Sequence, residues 1–172
     1  MENQKITTFQ GDIKDIQRSQ IEDYLYLEAE FLDEWDLHAW HALFSEDGEY
    51  FVPSTDLDRD ASADDSLFYI ADDAIRLKER VIRLLKRTAH SEFPRSRTRH
   101  FVSNVRLRGV ENGILTVSAA YSTYRIKGNT DVYVGVNYYK LKLVDNNIKI
   151  VEKRSVLDLE SLRPHGRVSI IL

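Results

Sequence analysis

A chain of 172 residues has the length of one domain, and at that size it can bury about 70% of its unfolded surface without disulfides. Charged residues make up 30% and hydrophobic residues 42%, with a net charge of −4 and no basic tract, which excludes general electrostatic binding to nucleic acid. There is no cysteine, so disulfides, thiolate zinc sites, cysteine nucleophiles and a Rieske cluster ligated by this chain are excluded.

Any chemistry therefore falls to carboxylates, Tyr, Arg and five histidines: His38, His41, His90, His100 and His165. The opening "MENQKITTFQGDIKDIQRSQ" lacks the basic-then-apolar order of a signal peptide. No apolar run approaches the roughly 20 residues of a membrane span. The expectation is a cytoplasmic protein, one domain over 1–172, with 1–18 a flexible or partner-contacting arm.

In chain order, "QIEDYLYLEAEFLDEW" predicts a helix from an N-cap at Ser19, with Glu22 three residues on. "DLHAWHALF" predicts a second, short helix capped by Asp36. "SEDGEYFVP" turns at Asp47–Gly48 and enters a strand that stops at Pro53. The acidic stretch 54–66 reads as a surface loop. From residue 71 to about His90, apolar residues recur at helical steps, with Asp72 and Asp73 at the start and Lys86 and Arg87 near the end, as the helix dipole favours.

After Pro94 the pattern alternates. "FVSNVRLRGV" and "ILTVSAAYSTYRI" flank the turn "ENG", and "GNTD" and "DNN" make further turns. A change of apolar phase between Val136 and Tyr139 suggests a bulge, and "VSIIL" is expected to close the sheet. Helices first and an antiparallel meander afterwards mean α+β. The expected shape is an NTF2-like cone: a curved, mostly antiparallel sheet with N-terminal helices on its concave face. That step is fold analogy and assigns no activity.

Four constellations are candidates for function. His38 and His41, with Asp33, Asp36 or Asp47, offer a two-His-one-carboxylate set, against a plain reading as solvent-side imidazoles. Asp56, Asp58 and Asp60 open like a calcium loop, but Ala61 and Leu67 stand where Gly and Glu are needed. Tyr50, His100 and Asp33 could meet inside the cone and do acid–base work, against a structural histidine. Alternation leaves open which face of the strand from His100 looks inward; Phe101, Val105 and Leu107 are expected to pack in the sheet. Arg95, Arg97 and Arg99 suit carboxylate pairing across a subunit interface, against a solvated basic turn.

These pieces are similar to one family. "YLYLEAEFLDEWDLHAWHALFSEDGEYFVP", "YIADDAIRLKERVIRLLKRTAHSEFPRSRTRHFVSNV", "YSTYR", "YVG" and "RSVLDLESL" resemble the beta (small) subunit of aromatic-ring-hydroxylating dioxygenases. The likeness spans most of 20–162, and its most specific string is 96–105. It implies an NTF2-like cone assembling with alpha subunits as a hexamer of three alpha and three beta chains. The Rieske cluster and mononuclear iron would sit in the alpha subunit, and this chain would hold no cofactor or metal and brace the assembly. It implies self-association as a trimer, no membrane or nucleic-acid partner, and a role in aromatic compound catabolism. The family's basic strand is replaced here by "GVNYYKLKL" at 135–143, and the end "LRPHGRVSIIL" lacks the family's aromatic-tipped tail. The competing expectation is a stand-alone dehydratase, isomerase or small-molecule binding protein using the cavity.

Overall fold

Glu28 and Lys153, two charged residues far apart in sequence, meet at the centre of the molecule, and the elements around them explain how. The computed structural model describes residues 2–88, 92–162 and 167–172. Helix α1 (Glu2–Thr7) and a 3-10 turn (Ile13–Asp15) lead into α2 (Arg18–Asp33) and α3 (Leu37–Ala42). Strands β1 (Phe44–Pro53) and β2 (Phe68–Asp72) precede α4 (Ala74–Leu85). Then come β3 (Arg97–Glu111), β4 (Ile114–Lys127), β5 (Asn129–Val144) and β6 (Asn147–Leu157).

Helix α2 starts slightly earlier than Ser19. Gln17 takes the cap position and Gln20 Oε1 accepts from its backbone N–H at 2.9 Å, the same reciprocal logic carried by an amide. Asp36 caps α3 as expected, accepting from the Ala39 N–H at 3.1 Å. From Thr8, which bridges to Asn147, the chain lies along the body and buries Ile13 and Ile16 before α2 begins.

The turn expected at Asp47–Gly48 is instead an irregularity within β1, between Phe44 and Glu49 in the pairing with β6. Gly48 packs so closely that a Cβ there would lie 2.9 Å from Phe44 Cβ. Strand β2 was not expected; its residues "FYIAD" pair with β1, so the helix placed from 71 begins at Ala74. Asp73 caps it through the Arg76 N–H at 2.9 Å, while Asp72 turns to a buried pair with Arg80. The helix stops at Leu85, where Lys86 turns to extended backbone, short of the expected end near His90; His90 itself and His165 lie outside the described residues. The acidic loop between β1 and β2 is held down by Arg154, whose Nη1 donates to the carbonyls of Arg59 (3.1 Å) and Ala61 (2.9 Å).

The six strands run in the order β2-β1-β6-β5-β4-β3. Every pairing is antiparallel except β1 with β6, which is parallel. Asn112–Gly113 and Asp145–Asn146 turn with positive φ throughout, the hairpin chemistry the sequence advertised. The expected bulge between Val136 and Tyr139 is absent: β4 and β5 pair there without a break. Tyr133, Gly135, Asn137, Tyr139 and Leu141 all face inward, so the phase never shifts; a polar Asn137 inside the cone only mimics a shift. The irregularity lies opposite Lys140 and Leu141, where Val151 is the extra residue of β6. Gly135 is needed for close strand approach, since a Cβ there would lie 1.9 Å from the Val156 carbonyl oxygen.

Strand β3 carries its own bulge at Asn104 (φ 53°), between the pairs Ser103–Ala120 and Arg106–Ser118. Before it, Thr98, His100 and Val102 face inward; after it, Val105 and Leu107 do. Phe101 is thereby turned out and 55% exposed, contrary to the expectation that it packs with Val105 and Leu107. Ile21, Tyr24, Leu25 and Leu32 of α2 fill the concave side against Val117, Leu141 and Ile150.

Candidate functional site

The interior was expected to bring Tyr50, His100 and Asp33 together, and it does so in part. Asp33 ends α2, and its two carboxylate oxygens each accept from the His100 backbone N–H at 3.1 Å. His100 Nδ1 stands 2.6 Å from Asp33 Oδ1, and Nε2 stands 2.9 Å from the Ile171 carbonyl oxygen. Both ring nitrogens therefore lie within hydrogen-bond distance of an oxygen, one on a carboxylate and one on a backbone carbonyl. Tyr50 does not bond to His100; its hydroxyl accepts from the Leu172 N–H at 3.1 Å. Burial pushes that hydroxyl up to about 12.

The closing segment is therefore not a sheet strand. It enters the cone with Ile170, Ile171 and Leu172 buried. Each such side chain contributes about 1.5–3 kcal/mol relative to exposure, which outweighs what an edge pairing would leave exposed. Tyr133 donates to the Arg167 carbonyl at 3.1 Å, and Ser169 Oγ donates to Glu92 at 2.6 Å. Beside His100 and Thr98 there remains a void of about 10 Å³, the room of one water.

Two buried acids organise the remainder, and neither was singled out from sequence. Glu28 accepts from Lys153 Nζ at 2.7 Å, Trp40 Nε1 at 3.0 Å and the Tyr139 hydroxyl at 2.8 Å. Its spacing from Leu25 and Leu32 puts it on the apolar face of α2, and that misplaced charge was the available signal. Glu92 accepts from Arg125 Nε at 2.7 Å and from Ser96 Oγ at 2.5 Å. Arg125 also reaches Asp131 at 3.0 Å.

The three arginines alternate with these inward groups and are exposed. The Arg95 guanidinium lies 5.6 Å from the Trp35 ring centre. Arg99 approaches Asp33 at 3.5 Å, and Arg97 has no partner among the described residues. In register beside them lie Ile126 and Tyr124, and then Phe101 opposite Ser122 and Val134. Phe101 and Tyr124 meet edge to face at 5.8 Å, and Ile126 and Val134 are exposed. The outer side of β3–β5 thus joins a basic row to an apolar one.

His38 is exposed on α3 and His41 half-buried; burial, then the Lys78 charge and the His38 ring, lower the His41 pKa. Asp56 accepts from Ser54 Oγ at 2.6 Å, and Asp60 lies beside Arg59. Among the described residues, no three His, Asp or Glu side chains stand together so as to hold a metal ion.

Comparison with known proteins places these features. The family model described as the ring hydroxylating beta subunit matches residues 27–163. The chain is 65% identical over 158 residues to the small oxygenase component of the p-cumate 2,3-dioxygenase system of Pseudomonas putida, covering 91% of this chain and 88% of that one. It is 30% identical over 141 residues to the anthranilate 1,2-dioxygenase small subunit of Acinetobacter baylyi, covering 80% and 86%. Among solved structures, the beta subunit of benzoate 1,2-dioxygenase from Burkholderia mallei superposes with a TM-score of 0.68 at 27% identity, covering 85% and 93%. An NTF2-like protein with a cystatin-like fold from Novosphingobium aromaticivorans superposes at 0.59 with 16% identity, covering 87% and 86%, which supports the expected fold. Family match and relatives agree, and the chain belongs to the ring-hydroxylating dioxygenase beta subunit family.

Proposed function

We propose that the chain is the beta subunit of a Rieske non-haem iron dioxygenase, bracing alpha subunits in a hexamer of three alpha and three beta chains. The carrying observation is the 65% identity, over 91% of this chain, to the small component of a p-cumate dioxygenase system. That relative makes p-cumate, an aromatic carboxylate, the substrate to test first, and catabolism of aromatic compounds in the cytoplasm the setting. The cluster and the mononuclear iron belong to the alpha subunit in this reading. This chain supplies no thiolate, and the buried pair of His100 and Asp33 is bonded to the chain's own backbone. No helix among the described residues is long and apolar enough to cross a membrane.

Residues 1–172 act as one NTF2-like domain in this proposal, with the exposed part of 1–18 available to a neighbour. Arg95, Arg97 and Arg99 face neighbouring chains, where forked guanidinium groups pair with carboxylates. Phe101 and Tyr124 add the apolar area such contacts need.

Co-expression with the alpha subunit of a Rieske p-cumate dioxygenase tests this reading. The expected result is one complex containing both chains, iron and sulfide, that consumes oxygen when given p-cumate and an electron donor. Separate elution of the two chains overturns it. The joined His100 and Asp33 favour a second reading, a stand-alone dehydratase or isomerase. Turnover of an organic substrate by the chain alone would establish that alternative; the segment filling the cone weighs against it.

A further inference from the structure

One peptide group inside the cone is held from both sides. The Ile171 carbonyl oxygen accepts from His100 Nε2 at 2.9 Å, and the Leu172 N–H donates to the Tyr50 hydroxyl at 3.1 Å. These two atoms belong to the same amide. Asp33 fixes the imidazole through Nδ1 and through the His100 backbone N–H, so the ring is set for an acceptor in that place. The apolar side chains on either side of the amide, Ile170, Ile171 and Leu172, fill the surrounding space.

The fit is incomplete in polar terms. Thr98 Oγ1, Thr123 Oγ1 and the Tyr121 hydroxyl are buried without hydrogen-bond partners among the described residues. Thr123 pairs with His100 and Tyr121 with Val102 across β3 and β4, so all three hydroxyls line the same inward face. Thr98 also borders the residual void with His100, Ile170 and Ile171. Buried hydroxyls nearly always find partners. A covering segment that leaves three unmet uses the site less fully than the site allows.

We propose that residues 167–172 act as an internal stand-in for a ligand, and that the cone beneath is a binding site for small amides. The ligand is an apolar body carrying one amide, its carbonyl facing His100 and its N–H facing Tyr50. Further polar atoms on that body would meet Thr98, Thr123 or Tyr121. This assignment is independent of which alpha subunit the chain serves.

The test compares the full chain with a variant lacking residues 170–172, titrated with N-methylbenzamide and with methyl benzoate, which lacks the N–H. A second variant, Ile170→Ser with Ile171→Ser, weakens the covering segment while keeping chain length. The open variants bind the amide saturably, and the full chain binds it at least about tenfold more weakly, since its site is open in only a small fraction of molecules. The ester binds the open variants about three- to tenfold more weakly than the amide, for loss of one hydrogen bond. Peptide RVSIIL added in trans displaces the amide. A folded open variant that fails to bind, equal binding by the full chain, or equal binding of ester and amide overturns the proposal. So does failure of both variants to fold, because the segment would then be core and not cover.

Discussion

The inner and outer sides of β3 differ by one residue of phase and obey opposite rules. Inside, the described acids near the strand are bonded: Asp33 to His100, and Glu92 to Arg125, Ser96 and Ser169. Deeper in the cone, Glu28 is met by Lys153, Trp40 and Tyr139. Outside, Arg95, Arg97 and Arg99 stand in solvent beside exposed Phe101 and Tyr124. A charge withdrawn from water must be fully bonded or the fold fails. A charge left in water contributes little to the fold and is free to serve an assembly.

The sharpest break of that contrast is Lys153→Met, which leaves Glu28 buried beside Trp40 and Tyr139 without its cation. Stability should fall by about 3–5 kcal/mol, read as a shifted urea midpoint. Glu92→Ala should cost about 2–3 kcal/mol, because Arg125 keeps Asp131 but Ser96 and Ser169 lose their acceptor. A near-native midpoint for either would mean that the interior tolerates unpaired groups.

Alkali should act next. Burial holds Tyr50 and Tyr133 at about 12 in the fold, against about 10 for an ordinary tyrosine; for Tyr133 the Asp131 charge adds to burial. Their folded pKa is the higher one, so their contribution is complete below pH 10 and is lost as pH rises from about 10 through about 12. The absorbance of ionising tyrosine, followed beside circular dichroism, should show these two titrating together with loss of structure. Early titration in an intact fold would contradict their burial.

Arg97→Ala should give the smallest change in the isolated chain, within about 0.5 kcal/mol, yet weaken the proposed assembly, as size-exclusion chromatography would measure. Unchanged oligomers with a lowered melting temperature would assign this arginine to the fold instead.

Much of the architecture was legible because it rests on local chemistry. Asn112–Gly113 and Asp145–Asn146 state their turns outright, Asp36 and Asp73 cap helices, and the spacing of Ile21, Leu25 and Leu32 marks the inner face of α2. The misses share a different cause. One inserted residue at Asn104 reverses which side chains of β3 face inward, and nothing in "FVSNVRL" distinguishes a bulge from a regular strand. Asn137 faces the interior despite its polarity, so it imitated a bulge. Strand β2 is too short for alternation to show. In the candidate site, Asp33 and His100 were anticipated as partners. The hold of Tyr50 on Leu172 was not, because a strongly apolar ending such as "SIIL" suits a strand and a plug equally.

The parallel contact between β1 and β6 sets the order in which the molecule can be finished. Strand β1 emerges early from the ribosome, but its inner neighbour is the last strand made, and Glu28 waits for a cation 125 residues downstream. Until then the inner edge of β1 has no partner strand, and the acid nearby lacks its cation. Completion of the nascent protein therefore hinges on its final third, and a ribosome stalled before β6 would release a product with a sticky flank.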